Sequence, residues 1–483
     1  MKTKSIKKNY ILNSFRVISG AAVGLITMPY INRVLGAEYI GKVEYVNTII
    51  NYFLLFTALG IPMYGIREIA KVREQPAQKA RTLAELLVLL GVTSLAGYIL
   101  LFGVLYQMDY FSNYKSILLI MSAMIFLTNI GAEWYFQGVE DQLYITIRYV
   151  GVRVLMVVLM FLFIKSPDNY HFYAFCIVLT TCGANILNFF VISKILYKEK
   201  NVLRNLNVKK HIKPALTIFI ATISVSIYLN LDNLLIGTIA GDKYVGYYSV
   251  ANKMIRFVIS FITVIGAVML PRLSFLFQED KEQYFKYLHK SFTFLLLTSL
   301  PFTVYFLVFA KPIINLIAGS EFDESIITMK LISPLCLIVS MAYFMGFLIL
   351  YPQNKEKVYT YATLISAAFS VCVNFFAVKY YQHNGAAVVG VLSELLAIVI
   401  MFFFLKRTSN LPDIFDKNFG KIIVASVIML LVSLIGIKLF PENIFYFVLM
   451  SLISWLVYGA LLYILKENEV KEIINKIKNA IIR

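Results

Sequence analysis

Apolar residues in this chain come in long uninterrupted runs, with few of the polar interruptions that helical or strand periodicity would produce on a soluble protein. A helix needs roughly 20 apolar residues to cross a hydrocarbon core, and runs of that length recur about fourteen times. They lie near 10–34, 43–65, 83–107, 116–136, 144–165, 171–196, 214–239, 245–271, 291–310, 325–350, 358–378, 386–405, 421–438 and 444–465. Backbone polar groups in lipid must be satisfied within the segment, so each run predicts a helix. The expectation is an all-α polytopic membrane protein of about 14 transmembrane helices. Connecting loops stay under about 20 residues, too short to form a separate soluble domain.

Composition agrees, at 59% hydrophobic and 15% charged residues. A net charge of +18 could signal a nucleic-acid partner, so its placement decides. Even-numbered loops and the two tails hold about 29 Lys and Arg, odd-numbered loops about 7, which is the positive-inside bias. Nucleic-acid binding would instead gather cations and aromatic platforms on one domain. The basicity therefore predicts topology, with both termini on the cytoplasmic side of the inner membrane. Lys2, Lys4, Lys7 and Lys8 precede a first run too long for a signal peptide, and the run reads as a retained helix. The tail over 467–483 alternates isoleucine and lysine as an interfacial amphipathic helix would. The four cysteines fall inside spans without Cys-x-x-Cys spacing, which suits packing.

One segment occurs twice. Residues 35–50 overlay residues 240–255, with Gly36/Gly241, Tyr39/Tyr244, Gly41/Gly246, Asn47/Asn252 and Ile50/Ile255 coinciding at a constant offset. The copies join spans one to two and seven to eight, so the halves run parallel. The division expected is a lobe of six helices over 1–205, a second over 206–405, and a final pair with the basic tail over 406–483. Parallel halves of this kind place substrate near the midplane and give alternating access by rocking. No loop is large enough to carry covalent chemistry and no phosphate-cradling Gly-rich loop is present, so the chain is expected not to be an enzyme and not to hydrolyse ATP.

Four stretches carry a family resemblance: Arg33-Val34-Leu35-Gly36 with Gly41; Gly60-Ile61-Pro62 with Gly65-Ile66-Arg67-Glu68; Glu133-Trp134-Tyr135-Phe136-Gln137-Gly138; and Asn230-Leu231-Asp232 through Val245-Gly246-Tyr247-Tyr248. They resemble the Wzx-type oligosaccharide flippases, the polysaccharide-export branch of a superfamily that also contains multidrug exporters and lipid II flippases. The resemblance implies translocation of an undecaprenyl-pyrophosphate-linked oligosaccharide from the cytoplasmic to the outer leaflet. It also implies two six-helix lobes around a charged cavity, with polysaccharide polymerase machinery as a possible partner and a monomer sufficient for function. A multidrug exporter of the same fold is the nearest alternative; a membrane glycan polymerase or ligase would need a long outer loop.

Ionisable residues at membrane depth are the candidate functional groups, because each costs about 3 kcal/mol or more unless paired or hydrated. Arg256 lies near the midplane of span eight with Lys253 three residues away, and the two can form a cationic site for a pyrophosphate. Lys253 can equally pair with Asp232 on span seven. Arg16 either snorkels to the cytoplasmic headgroups or faces the cavity. Arg148 and Glu133 flank one short turn and are expected to form a structural ion pair. Arg153 has no obvious acidic partner and joins the cavity cations. Glu394, mid-span, is a candidate to carry a coupling ion, H+ or Na+, or to pair with Lys330. No metal or cofactor is expected.

Overall fold

The computed structural model describes residues 6–199, 206–408, 417–439, 443–467 and 469–471. Those residues are all-helical, without a β-strand among them. The chain folds into two compact units, Met1–Gly246 and Tyr247–Arg483. The amphipathic tail expected over 467–483 falls almost wholly outside the described residues.

In the first unit, α1 (Ile6–Ala58) is followed by the short α2 (Ile61–Lys71), then α3 (Pro76–Gly103), α4 (Lys115–Gly131) and the one-turn-and-a-half α5 (Glu133–Gly138). After them come α6 (Gln142–Phe163), α7 (Tyr170–Val178), α8 (Ala184–Lys198) and α9 (Lys209–Ile239). The next helix, α10 (Asp242–Glu279), starts in the first unit and continues into the second. The second unit then holds α11 (Lys281–Val308), α12 (Ala310–Ile317), α13 (Glu324–Ile332), α14 (Leu335–Tyr343), α15 (Glu356–Thr408), α16 (Lys417–Leu439) and α17 (Ile444–Ile464). The first unit thus includes α9, which the sequence reading puts at the start of the second lobe.

By length and hydropathy, 10 of the described helices are able to cross a membrane, or up to 11 with the bent pair Asp242–Val264 and Met269–Glu279 taken as one span. The hydropathy runs suggested more, and the difference has a physical cause. Both α1 and α15 are 53 residues long and continue through expected turns, each being two helices joined at a single non-helical residue, Gly36 or Gln382. At 1.5 Å per residue such a helix is about 80 Å long, far beyond one bilayer core.

The ends of the short helices are set by backbone geometry. Gly60 takes a left-handed conformation (φ 71°) between α1 and α2, and its missing side chain lets the α9 backbone at Ala215 and Phe219 approach. An apolar cluster including Ile61, Tyr64, Leu83, Leu86, Trp134 and Ile145 fills the space among α2, α3, α5 and α6. In the second unit the last two helices are tied together by a buried hydroxyl pair, Ser433 to Ser454 at 2.8 Å. They are held to α11 by Tyr458, whose hydroxyl donates to the Leu297 carbonyl at 3.0 Å.

One fully buried carboxylate anchors the start of α9. Glu85 on α3 accepts from the Asn207 backbone N–H (2.9 Å) and from Lys210 (2.7 Å), His211 Nε2 (2.9 Å) and Arg81 (3.3 Å). With the proton on Nε2, the His211 Nδ1 accepts the Tyr64 hydroxyl at 2.7 Å, tying α2 into the same network. Removing one partner of a buried charge network costs about 3–5 kcal/mol. Glu85→Ala is therefore expected to lower the thermal midpoint of the detergent-solubilised protein sharply, and Lys210→Ala, whose side chain is half-exposed, far less. Fluorescence-detected size-exclusion after a heating series reads both.

Candidate functional site

A second charge cluster of the first unit gathers where α1, α5 and α6 meet. Its geometry starts at the break between α4 and α5. Ala132 adopts a left-handed conformation (φ 36°), and Gly131 leaves room for the Asn185 side chain. Asn188 donates to the freed Gly131 carbonyl at 2.8 Å. The chain then restarts as α5 with Glu133 in its first turn and Trp134, Tyr135 and Phe136 buried behind it.

Glu133 bridges two arginines. Its Oε1 accepts Arg16 of α1 at 2.8 Å, and its Oε2 accepts Arg148 of α6 at 3.2 Å. The two cations differ in setting. Arg148 has only 3% of its side chain exposed, donates to the Ala184 carbonyl at 2.9 Å, and lies against the Phe136 and Tyr144 rings. Arg16 is more open and reaches Asn13 as well. Of the two options for Arg16, the structure shows it paired with Glu133.

Arg153 completes the group. Its guanidinium carbon lies 4.2 Å from the Tyr149 ring centroid, and Arg16 lies 5.6 Å from the same ring. Tyr149 thus stands between two cations, and its face attracts both. Gly20 on α1 makes this possible, since a methyl group there would overlap Arg153 and crowd the Tyr149 hydroxyl. Two guanidiniums pair with one carboxylate and a third lies on the Tyr149 ring, so the cluster keeps a positive excess. Around it, buried polar atoms of Trp134 (Nε1), Tyr144 (hydroxyl), Gln142 (Oε1), Arg148 (Nε) and Arg153 (Nε) have no partner among the described residues. Buried polar atoms of this kind call for water or a polar ligand.

The other candidates lie elsewhere. Asp232 sits half-buried on α9, close enough to the Tyr52 hydroxyl to interact with it electrostatically. Lys253 is exposed and Arg256 half-buried, both on the part of α10 that belongs to the second unit. Glu394 is half-buried on α15 and acts electrostatically on Tyr359. Lys330, offered as its partner, is exposed on α13. The sequence reading missed Tyr149 and Gly20. The signal for Tyr149 was its four-residue spacing from Arg153, which puts both on one helix face.

Residues 6–277 match the family described as polysaccharide biosynthesis protein, and residues 143–458 match the lipid II flippase MurJ family. The chain belongs to the polysaccharide biosynthesis protein family. Among curated relatives, a protein of Escherichia coli K12 named "Putative O-antigen transporter" is 21% identical over 84% of this chain and 98% of its own length. A protein of the same name from Shigella dysenteriae is 24% identical over 82% of this chain and 99% of its own length. The fold is shared with a solved lipid II flippase MurJ in an inward closed conformation, at TM-score 0.75 and 18% identity, over 95% of this chain and 100% of the other. It is shared more distantly with an inward-facing multidrug transporter of the MATE family, at TM-score 0.59 and 13% identity, covering 85% and 97% of the two chains. The chain is a multi-pass membrane flippase of the Wzx type.

Within the flippase the two Glu133-bound arginines have separable tasks. Arg148→Ala strips a buried clamp between α5, α6 and α8, and is expected to reduce the monodisperse fraction on size-exclusion. Arg153→Ala and Arg16→Ala leave Glu133 paired with Arg148, and are expected to elute like the parent protein.

Proposed function

We propose that this protein carries an undecaprenyl-pyrophosphate-linked oligosaccharide from the cytoplasmic to the outer leaflet by alternating access, supplying surface polysaccharide assembly. The observation that supports this reading best is the excess of arginine over acid at depth in α1 and α6. Arg153 stands about 17 Å along α6, near the middle of a bilayer-length helix. A cation held at that depth is costly unless function retains it. Guanidinium is the group suited to a pyrophosphate, because its planar fork offers paired donors to phosphate oxygens. Arg16 and Arg153, spaced by Tyr149, would receive the diphosphate, while Glu133 holds Arg16 in place until the anion arrives. An organic cation, the cargo of the alternative reading, would be repelled by the same cluster. Arg256 and Lys253 on α10 are proposed as a further cationic site for phosphate.

Orientation follows from the charge bias: both termini in the cytoplasm, and the even-numbered loops with them. Glu394 is our candidate for the coupling carboxylate, because a half-buried mid-helix acid can exchange a proton or bind Na+ as access alternates.

The test uses proteoliposomes carrying a fluorescent undecaprenyl-pyrophosphate oligosaccharide, with an impermeant glycan-cleaving enzyme outside. The cleavable fraction should rise with protein present. Charge-assisted hydrogen bonds contribute about 1.5–3 kcal/mol, so Arg153→Ala and Arg16→Ala should each slow the initial rate at least about tenfold. Full rates in the double variant, with normal protein abundance, would remove the phosphate site. Glu394→Gln is expected to lose the response of that rate to an imposed proton or sodium gradient; a retained response would take the coupling role from this residue.

A further inference from the structure

Four turns far apart in sequence, the odd-numbered loops of the first unit, come together on the side that the charge bias assigns to the outside. The first meets the last through backbone: a methyl group on Gly41 would overlap the carbonyl oxygen of Asp242, and one on Gly246 that of Ala37. Around this contact stand two pairs of tyrosines. Tyr39 of α1 stacks on Tyr170 of α7, with ring centroids 4.7 Å apart. Tyr110 stacks on Tyr114 at 6.4 Å, both in the short turn Asp109–Tyr114 that precedes α4. The Lys42 ammonium joins the pairs, 5.6 Å from the Tyr114 centroid and 5.4 Å from that of Tyr170. One ring of each pair is anchored. Tyr114 donates to the Asp242 carboxylate at 2.8 Å. Tyr170 lies against the His171 ring at 3.9 Å, and His171 Nε2 is hydrogen-bonded to Ser116 Oγ of α4 at 2.7 Å. The other two rings are accessible, Tyr110 being 46% exposed and Tyr39 half-buried.

We propose that this cluster is a saccharide-recognition site, in which Tyr39 and Tyr110 stack on sugar rings and select the cargo by its glycan. The inference rests on the transport reading above and concerns the part of the cargo that the arginine cluster does not touch. A pyranose presents a face of C–H bonds inside a rim of hydroxyls, so it packs on an aromatic face while its rim takes hydrogen bonds. The cluster offers both, with tyrosine rings for the face and Asp242, His171 and Ser116 beside them for the rim. Tyrosine also suits the task because few torsions must be frozen on binding, and here stacked partners already restrain the rings. A tyrosine that only marks the membrane interface needs no such partner. Charge argues against phosphate at this site. Lys42 and Glu38 both act electrostatically on Asp242, so one cation meets two acids. The two ends of α1 thus differ: guanidiniums gather near Gly20, and tyrosines beyond Gly36, about 24 Å further along at 1.5 Å per residue. A lipid-linked oligosaccharide has the same polarity, anionic at the carrier and sugar beyond it.

The probe is the repeat oligosaccharide of the producing cell, cleaved from its carrier by mild acid so that no phosphate remains, and labelled at its reducing end. Its binding to the full-length, detergent-purified protein is read by fluorescence anisotropy. Tyr39→Ala and Tyr110→Ala should each weaken binding at least about fivefold, and Tyr110→Phe, which keeps the ring, much less. Tyr380→Ala removes an α15 ring that is 68% exposed, and should bind like the parent. Absence of saturable binding by the parent would overturn the site. So would equal binding by a double Tyr39→Ala, Tyr110→Ala variant that elutes like the parent. In the proteoliposome assay the double variant should slow carrier bearing the full glycan more than carrier bearing a single sugar; equal slowing of both would also remove saccharide recognition. Glycan binding that is lost in the double variant of a protein moving no lipid would keep the site and remove the flippase reading. Lipid movement without glycan binding would do the reverse.

Discussion

Water is absent from the centre of a bilayer, so every backbone amide and every charge there must find its partner within the protein. That constraint explains why the described residues are all helical and why the helix breaks are so economical. Where the chain breaks between α4 and α5, a side chain from elsewhere supplies the missing hydrogen bond: Asn188 donates to the Gly131 carbonyl. The same constraint governs the acids. Glu85 is surrounded by four donors and Glu133 by two guanidiniums, so both carboxylates are paired.

Placement of the cations then separates architecture from function. At Glu85 every donor closes on the one carboxylate, Arg81 from α3 and Asn207, Lys210 and His211 from the start of α9, and the result is an anchor. At Glu133 two arginines share the acid, and a third, Arg153, lies on the Tyr149 ring with its Nε unpartnered among the described residues. Donors that all close on one acid rigidify; a cation held beside them has capacity for an anion. Gly20 leaves the space on α1 that the Arg153 guanidinium fills.

Much of the architecture was legible in the chain. Apolar runs longer than a soluble helix needs, with lysine and arginine concentrated in alternate loops, specify an all-α membrane protein with little ambiguity. The repeat was legible too, since Gly36 and Gly241 recur in register and both have positive φ. Glu133 and Arg148 could be placed together because a short turn joins their helices. Arg16 could not be assigned to the same acid, because it lies 117 residues away in sequence and no periodicity links the two. The helix count was also less legible than the apolar runs suggested, since hydropathy registers a turn as a dip whereas α1 and α15 turn at a single residue.

The sequence by itself determined the solvent this protein lives in, its helical class and its family. Hydrophobic length and charge asymmetry are sums along the chain and need no knowledge of neighbours. The tertiary structure decided which charges meet. It gave Glu133 to both Arg16 and Arg148, laid Tyr149 between Arg16 and Arg153, drew Asn207, Lys210 and His211 onto Glu85, and set Gly41 against Asp242 and Gly246 against Ala37. Such contacts join residues far apart in sequence, and whether a charge is paired or a glycine is needed depends on the atoms a few ångströms away.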